Sequence, residues 1–318
     1  MALIAVAVGI FLLIKGGDWL MQAAVSLSLR FSIPKIVIGM TVVSFATSAP
    51  ELIVSIQSAL GGHPDLALGN VVGSNIANLG LVLAITIMIS PIDVTKRFYT
   101  TDWPMMMSAS VLFYFFVISG NKIVAYEGAI LFGLLILFLI YLMKFQEEVV
   151  LEEGLEGASP MSAYKMTTLL LLGGFSLWLG SETLIKGAVT MAQSLGVSER
   201  IISVSIVSVG TSIPELSASI IAIINKEKAI SIGNLVGSNV FNILAVMGIT
   251  SMISPVAVQD FGLLGNDVYW MLAISFIILP MAFLSKRTSE GKMRLRLGTI
   301  DGVVLIILYS LFLIPLLW

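Results

Sequence analysis

One polar pattern occurs twice in this otherwise apolar chain, with an offset of 164 positions. The pattern is T-S-x-P-E followed, 18 residues later, by G-N-x-x-G-S-N-x-x-N, and its two copies cover 47–78 and 211–242. Residues 45–91 align with 209–255 without a gap and are identical at 21 of 47 positions. A repeat of this length predicts a fold built from two related halves.

Composition places the chain in a membrane. It is 58% hydrophobic and 11% charged, with a mean hydropathy of +1.03, whereas soluble domains contain about 25% charged residues. The net charge of −2 argues against a nucleic-acid-binding protein. Without cysteine, and with His63 as its one histidine, the chain offers no thiolate metal site or hydrolase triad, so we expect neither an enzyme nor a cofactor.

About 20 apolar residues are needed to cross a bilayer, and the sequence predicts ten such spans. They are 2–27, 35–60, 67–89, 104–119, 123–143, 165–191, 199–224, 229–253, 268–285 and 298–317. The first stretch is interrupted by Lys15 and Asp18 and lacks a small-residue cleavage site, so we interpret it as an uncleaved helix. The expected fold class is an all-α membrane protein.

One long polar connection divides the chain. It carries five glutamates within 144–164, which predicts a solvated linker that is too short for a regulatory domain. The predicted organisation is a first five-helix repeat at 1–143, this linker, and a second five-helix repeat at 165–318.

Lysine and arginine predict the orientation. With the N-terminus outside, 13 of these residues lie in inner loops and two, Lys122 and Arg200, lie in outer loops. The positive-inside rule then places both termini outside and the linker in the cytoplasm. Because each half has an odd number of spans, the second half is inserted upside-down. Inverted repeats of this kind support alternating access in transporters.

Each copy of the pattern carries one carboxylate inside a predicted span, Glu51 and Glu215. Ionisable groups are costly in hydrocarbon, so the default interpretation is an ion or substrate site. Pro50 and Pro214 precede them, and a proline removes a backbone donor from a helix. The sequence therefore predicts broken second and seventh helices, with unpaired carbonyls that would line a cavity.

Hydroxyl groups surround the predicted breaks, and together with carbonyl oxygens they favour a hard cation such as Na⁺ or Ca²⁺. They belong to Thr47, Ser48, Thr211 and Ser212. A second interpretation stays open: Ser48-x-x-Glu51 and Ser212-x-x-Glu215 both fit the capping-box pattern, in which the carboxylate only satisfies a helix end.

The predicted helices that follow each begin with small and polar residues. The GxxxG spacing at 69–73 and 233–237 permits close helix packing. Amide and hydroxyl oxygens recur on one face, and we expect four of them to be ligands: Ser74, Asn78, Ser238 and Asn242. For Asn70 and Asn234, nearer the helix ends, we expect bonds between helices instead.

These motifs resemble those of the cation/Ca²⁺ exchanger superfamily, especially prokaryotic Na⁺/Ca²⁺ exchangers of the bacterial inner membrane. The resemblance covers nearly the whole chain. It implies ten helices in two inverted halves, and ion sites between the broken second and seventh helices and the third and eighth. It also implies that the long first and sixth helices slide past this core.

The resemblance assigns metal ligands to matching positions. The central carboxylates fall on Glu51 and Glu215, and backbone carbonyl ligands fall on Ser44 and Ser208. The side-chain oxygen ligands fall on Thr47, Ser48, Thr211, Ser212, Ser74, Ser238 and Asn78. The chain departs from the best-understood microbial type, which has aspartate where this chain has Asn242. This neutral residue leaves the Na⁺:Ca²⁺ ratio open.

The expected function is a secondary antiporter that exchanges Ca²⁺ for Na⁺ by alternating access in a prokaryotic inner membrane. An H⁺-coupled or K⁺-assisted cation/Ca²⁺ antiporter is the nearest alternative, and a passive cation channel is a more distant one. The expected partners are Ca²⁺, Na⁺ and membrane lipid. A monomer is compatible with this prediction, and the oligomeric state stays open.

Overall fold

The computed structural model describes residues 2–145, 161–194, 208–260, 262–285, 287–289 and 292–317. Helices make up most of it. In chain order they are α1 (Ala2–Phe31), α2 (Lys35–Leu60), α3 (Pro64–Ile89), α4 (Phe98–Gly120), α5 (Ala125–Lys144), α6 (Ala163–Ser194), α7 (Ile213–Ile224), α8 (Lys228–Ile253), α9 (Leu263–Leu284) and α10 (Thr299–Leu317).

Eight of these helices, all but α7 and α10, are long and apolar enough to cross a bilayer. Helix α7 and the Thr299–Ile314 part of α10 are apolar but shorter. The prediction of a helical membrane protein is therefore confirmed. Most of the predicted linker at 144–164 and part of the predicted span at 199–224 lie outside the described residues.

The predicted break in the second helix is wrong. Helix α2 continues through Pro50, with a π-helical turn at Gly39–Val43. Proline removes one hydrogen bond, and neighbouring helices can hold a membrane helix together across such a gap. Ala46 also favours the helix at the position where the second copy has Gly210.

In the described chain the helix is interrupted just before α7, where the sequence predicts a break in the seventh helix. A helical turn at Ser208–Gly210 ends before Thr211 and Ser212, and α7 then begins with Pro214 in its first turn. Proline is well suited to the first turn of a helix because the N–H that it lacks would have no partner there.

Helices α3 and α8 each contain a wider, π-helical segment near their middle. These segments are Asn78–Leu83 and Asn242–Met247, and they begin at equivalent positions of the two sequence copies. Such segments often occur at functional sites. The sequence analysis did not predict them. Two further π-helical turns, Phe98–Asp102 and Leu263–Asp267, open α4 and α9.

The most buried helices are α3 and α8, which form the centre of the bundle. Helices α1 and α6 pack antiparallel at its periphery through glycines. A Cβ atom added at Gly16 would lie 2.9 Å from the carbonyl oxygen of Gly173, and one added at Gly9 would lie 2.9 Å from that of Gly180. Any larger residue at these positions would therefore push the two helices apart.

Short antiparallel strands connect several helix ends. The strands are β1 (Ile92–Val94), β2 (Lys122–Ile123), β3 (Val256–Ala257), β4 (Arg287–Ser289) and β5 (Lys292–Leu297). One sheet has the order β1–β5–β4, and β2 pairs with β3 in another. In register, Ile92 of β1 faces Leu297 of β5, and Ile123 of β2 faces Val256 of β3.

Candidate cation-binding site

Two carboxylates lie fully buried inside the bundle, Glu51 on α2 and Glu215 on α7, each with 0% exposure. Ser48 Oγ donates a 3.2 Å hydrogen bond to Glu215 Oε1. Both carboxylate oxygens of Glu51, and Oε2 of Glu215, have no hydrogen-bond partner among the described residues. Buried charges without partners are strongly destabilising, so these oxygens are suited to bind a cation or a proton.

The capping-box interpretation does not agree with this geometry. Ser212 is the N-cap residue of α7, yet no side-chain hydrogen bond caps that end. In α2 the helix is already formed before Ser48, and Glu51 has no partner for either side-chain oxygen. The two carboxylates therefore do not serve as helix caps.

Hydroxyl groups of α2 meet α8 beside the carboxylates. Thr47 Oγ1 lies 3.3 Å from Ser238 Oγ and donates to Asn234 Oδ1 at 3.2 Å and to the carbonyl of Ser44 at 3.3 Å. Ser44 Oγ in turn donates to the carbonyls of Gly39 and Asn234, at 2.8 and 3.0 Å. The structure thus brings the predicted ligands Thr47 and Ser238 together and places the carbonyl of Ser44 next to them.

The central amides come from α3 and α8. Asn78 is fully buried, and neither its Oδ1 nor its Nδ2 has a hydrogen-bond partner in the described part of the chain. Asn242 Nδ2 donates to Ser74 Oγ at 3.0 Å, which leaves its Oδ1 without a partner. Both amides therefore present a free carbonyl oxygen, which is the atom that Na⁺ and Ca²⁺ bind.

The turn before α7 carries the remaining predicted ligands. Ser212 is 1% exposed, and its Oγ has no partner within the described ranges. Thr211 lies beside it, and the backbone of Ser208 begins the preceding helical turn. The helical turn at Ser208–Gly210 packs against α3, and the role of these three residues as ligands stays a prediction.

Asn70 and Asn234 link helices, as we expected. Asn70 Nδ2 donates to Ser55 Oγ at 3.0 Å and to the carbonyl of Glu51 at 3.3 Å. Asn234 Nδ2 donates to Ser219 Oγ at 3.3 Å. The sequence analysis missed Ser55 and Ser219, although both are identical positions of the repeat, four residues after each glutamate. That recurrence was the available signal.

The site is thus rich in neutral oxygens and has two carboxylates. Among the described residues, no group of three or more His, Cys, Asp or Glu side chains is placed to hold a metal ion. Two negative charges with hydroxyl and amide oxygens suit one divalent or a few monovalent hard cations.

Known proteins with a similar sequence are membrane transporters and membrane proteins. The family model described as sodium/calcium exchanger protein matches residues 1–144 and 165–318. The putative antiporter CaxA of Alkalimonas amylolytica is 35% identical, over 97% of this chain and 96% of the relative. Inner membrane protein YrbG of Escherichia coli is 31% identical, over 85% of each chain.

The fold also matches a solved structure. The sodium-calcium exchanger NCX_Mj, soaked with zero Na⁺ and Ca²⁺, superposes with a TM-score of 0.81 at 25% identity. The match covers 98% of this chain and 97% of that one. Sequence and fold therefore point to the same class of protein as the buried oxygen site.

Proposed function

This chain belongs to the sodium/calcium exchanger protein family, and from that premise we propose that it exchanges Ca²⁺ for Na⁺ across a membrane by alternating access. The observation that carries the proposal is the set of buried oxygens without partners on Glu51, Glu215, Asn78 and Asn242. Because these four residues come from α2, α7, α3 and α8, a single site joins both halves of the chain.

The charge of the site explains why transport is an exchange. Two carboxylates balance one Ca²⁺, or a small number of Na⁺, in an interior where excess charge is costly. Ca²⁺ and Na⁺ therefore compete for the same oxygens, and each return of the empty, doubly negative site across the membrane is unfavourable. Coupled exchange follows from this competition without a further device.

Alternating access is supported by the internal repeat. We propose ten spans in two inverted halves, 1–143 and 165–318. Eight of them are the long apolar helices, and α7 and α10, whose described apolar parts are shorter, are the other two. Beyond the sequence identity, the π-helical segments of α3 and α8 start at equivalent positions, Asn78 and Asn242. Strands β1 and β3 also begin at equivalent positions, 92 and 256. Inverted halves around one site give two pseudo-equivalent states, one open to each side.

We propose as ligands all twelve residues that the sequence analysis selected: Glu51, Glu215, Asn78, Asn242, Thr47, Ser48, Thr211, Ser212, Ser74 and Ser238 through side chains, and Ser44 and Ser208 through backbone carbonyls. One copy of the chain supplies the whole set, so a monomer is sufficient for the proposed exchange.

Single-cysteine labelling tests the inverted topology. We expect Glu152→Cys to react only from the cytoplasmic side, and His63→Cys, in an exposed turn, to react only from outside. The chain has no cysteine of its own, so any labelling reports the introduced one. Reaction of both variants with an impermeant maleimide from the same side would refute the inverted arrangement.

Flux measurements in proteoliposomes test the coupling ion. We expect ⁴⁵Ca²⁺ uptake to require an outward Na⁺ gradient and to be insensitive to K⁺ or H⁺ gradients imposed separately. Uptake driven by H⁺ alone, or dependent on K⁺, would favour the alternative antiporters. Ca²⁺ conductance without any counter-ion would instead identify a channel.

A further inference from the structure

The carbonyl of Gly210, just before α7, cannot be satisfied within its own helix. The residue four positions later is Pro214, which has no N–H to donate. In the structure, Ser181 Oγ of α6 donates a 2.8 Å hydrogen bond to this carbonyl. Ser181 is only 5% exposed, so the bond lies in the interior, where an unpaired carbonyl would be costly.

A second residue of α6 holds the same glycine. A Cβ atom added at Gly210 would overlap with the side chain of Ile185, one helical turn beyond Ser181. Helix α6 therefore contacts Gly210 in two ways, through a hydroxyl group on its carbonyl and an apolar side chain over its α-carbon.

The first half of the chain has no hydroxyl group at the position equivalent to Ser181. At the offset of 164, Ser181 corresponds to Gly17 and Gly210 corresponds to Ala46. Gly17 has no hydroxyl to donate, and α2 is continuous at Ala46, whereas the chain is interrupted after Gly210. The hydroxyl of Ser181 is thus present in the half whose helix is broken and absent in the half whose helix is continuous.

We propose that Ser181 is a positioning residue, which holds the break before α7 and thereby sets the position of Ser212 and Glu215 in the cation site. Ser212 lies in the break itself, and Glu215 lies in the first turn of α7. Ser212 and Glu215 each carry a side-chain oxygen without a partner among the described residues. A second bond links α7 to α1, from Ser217 Oγ to the carbonyl of Leu13, at 2.9 Å. This inference rests on the proposed exchange function in one respect, because it takes the site that contains Ser212 and Glu215 to be the site that binds the transported ion.

The test compares Ser181→Ala with Ser181→Thr, which keeps a hydroxyl group. The matched control is Thr183→Val, because Thr183 lies on the same helix and bonds only the carbonyl of Leu179 in that helix. Each change is made in a Val209→Cys background, and the rate of thiol labelling at Val209 is measured. We expect Ser181→Ala to raise this rate and the half-saturating Ca²⁺ concentration by roughly two- to tenfold, with little change in maximal flux.

Ser181→Thr should restore both quantities, and Thr183→Val should leave both unchanged. If Ser181→Ala does not fold, Ser181→Gly, which introduces the residue found at the equivalent position of the first half, removes the same hydroxyl group and should raise labelling in the same way. If Ser181→Ala has the same labelling rate and the same half-saturating Ca²⁺ concentration as Thr183→Val, the inference is overturned. If labelling responds but the unmodified chain exchanges no Ca²⁺ for Na⁺, the proposed function fails while the role of Ser181 stands.

Discussion

Replacing Glu51 or Glu215 with glutamine is expected to abolish Na⁺-driven Ca²⁺ uptake, with a loss of about 100-fold or more. Both carboxylates are fully buried, and removing one partner from a buried charge interaction costs about 3–5 kcal/mol. Glutamine keeps the size of the side chain, so the protein should still fold. Initial rates of ⁴⁵Ca²⁺ uptake in proteoliposomes measure the effect.

Glu182→Gln is the matched control for this experiment. Glu182 is paired with Lys186 at 3.0 Å on an exposed face of α6, where its side chain is 42% exposed. We expect nearly unchanged uptake, because Glu182 pairs with a residue of its own helix and is not one of the proposed ligands. If Glu51→Gln or Glu215→Gln takes up Ca²⁺ nearly as fast as the unmodified chain, the replaced carboxylate does not bind the transported ion.

The sequence was sufficient to predict features that depend on composition and periodicity. The α-helical membrane fold follows from long apolar stretches, and the burial of Glu51 and Glu215 follows from their place in the repeat. The pairing of Ser48 with Glu215, and of Thr47 with Ser238, agrees with the prediction that both halves contribute to one site. Such contacts join residues more than 160 positions apart, and the repeat was the only link between them in the sequence.

Other features depend on contacts that the repeat does not encode. Pro50 and Pro214 have the same local sequence, yet only the second follows a break. Ser181, a residue of another helix, bonds the carbonyl before the second proline, and the first half has a glycine at the equivalent position, so local proline chemistry alone does not distinguish the two. The π-helical segments at Asn78 and Asn242 are also set by packing, because no residue type specifies the wider turn.

A second large effect is expected for Gly237→Ala, which should strongly reduce both uptake and stability. Gly237 of α8 lies against α2, and an added Cβ would lie 2.6 Å from the α-carbon of Met40, 2.7 Å from the carbonyl oxygen of Met40, and still closer to Ser44 Oγ. Backbone atoms cannot move aside by changing a rotamer, so the two helices must separate. Overpacking of this kind costs typically about 1–3 kcal/mol.

The separation would also damage the cation site, because Ser238 is the next residue and Thr47 lies 3.3 Å from it across the same helix contact. Gly133→Ala on α5 is the control, since an added Cβ there meets no described atom within 4 Å. The midpoint temperature of thermal unfolding and the rate of Na⁺-driven ⁴⁵Ca²⁺ uptake should both be lower in Gly237→Ala. Both should be unchanged in Gly133→Ala. Normal uptake by Gly237→Ala would mean that α2 and α8 do not need this close contact to form the site, and that the oxygens of Thr47 and Ser238 bind the ion from a wider separation or not at all.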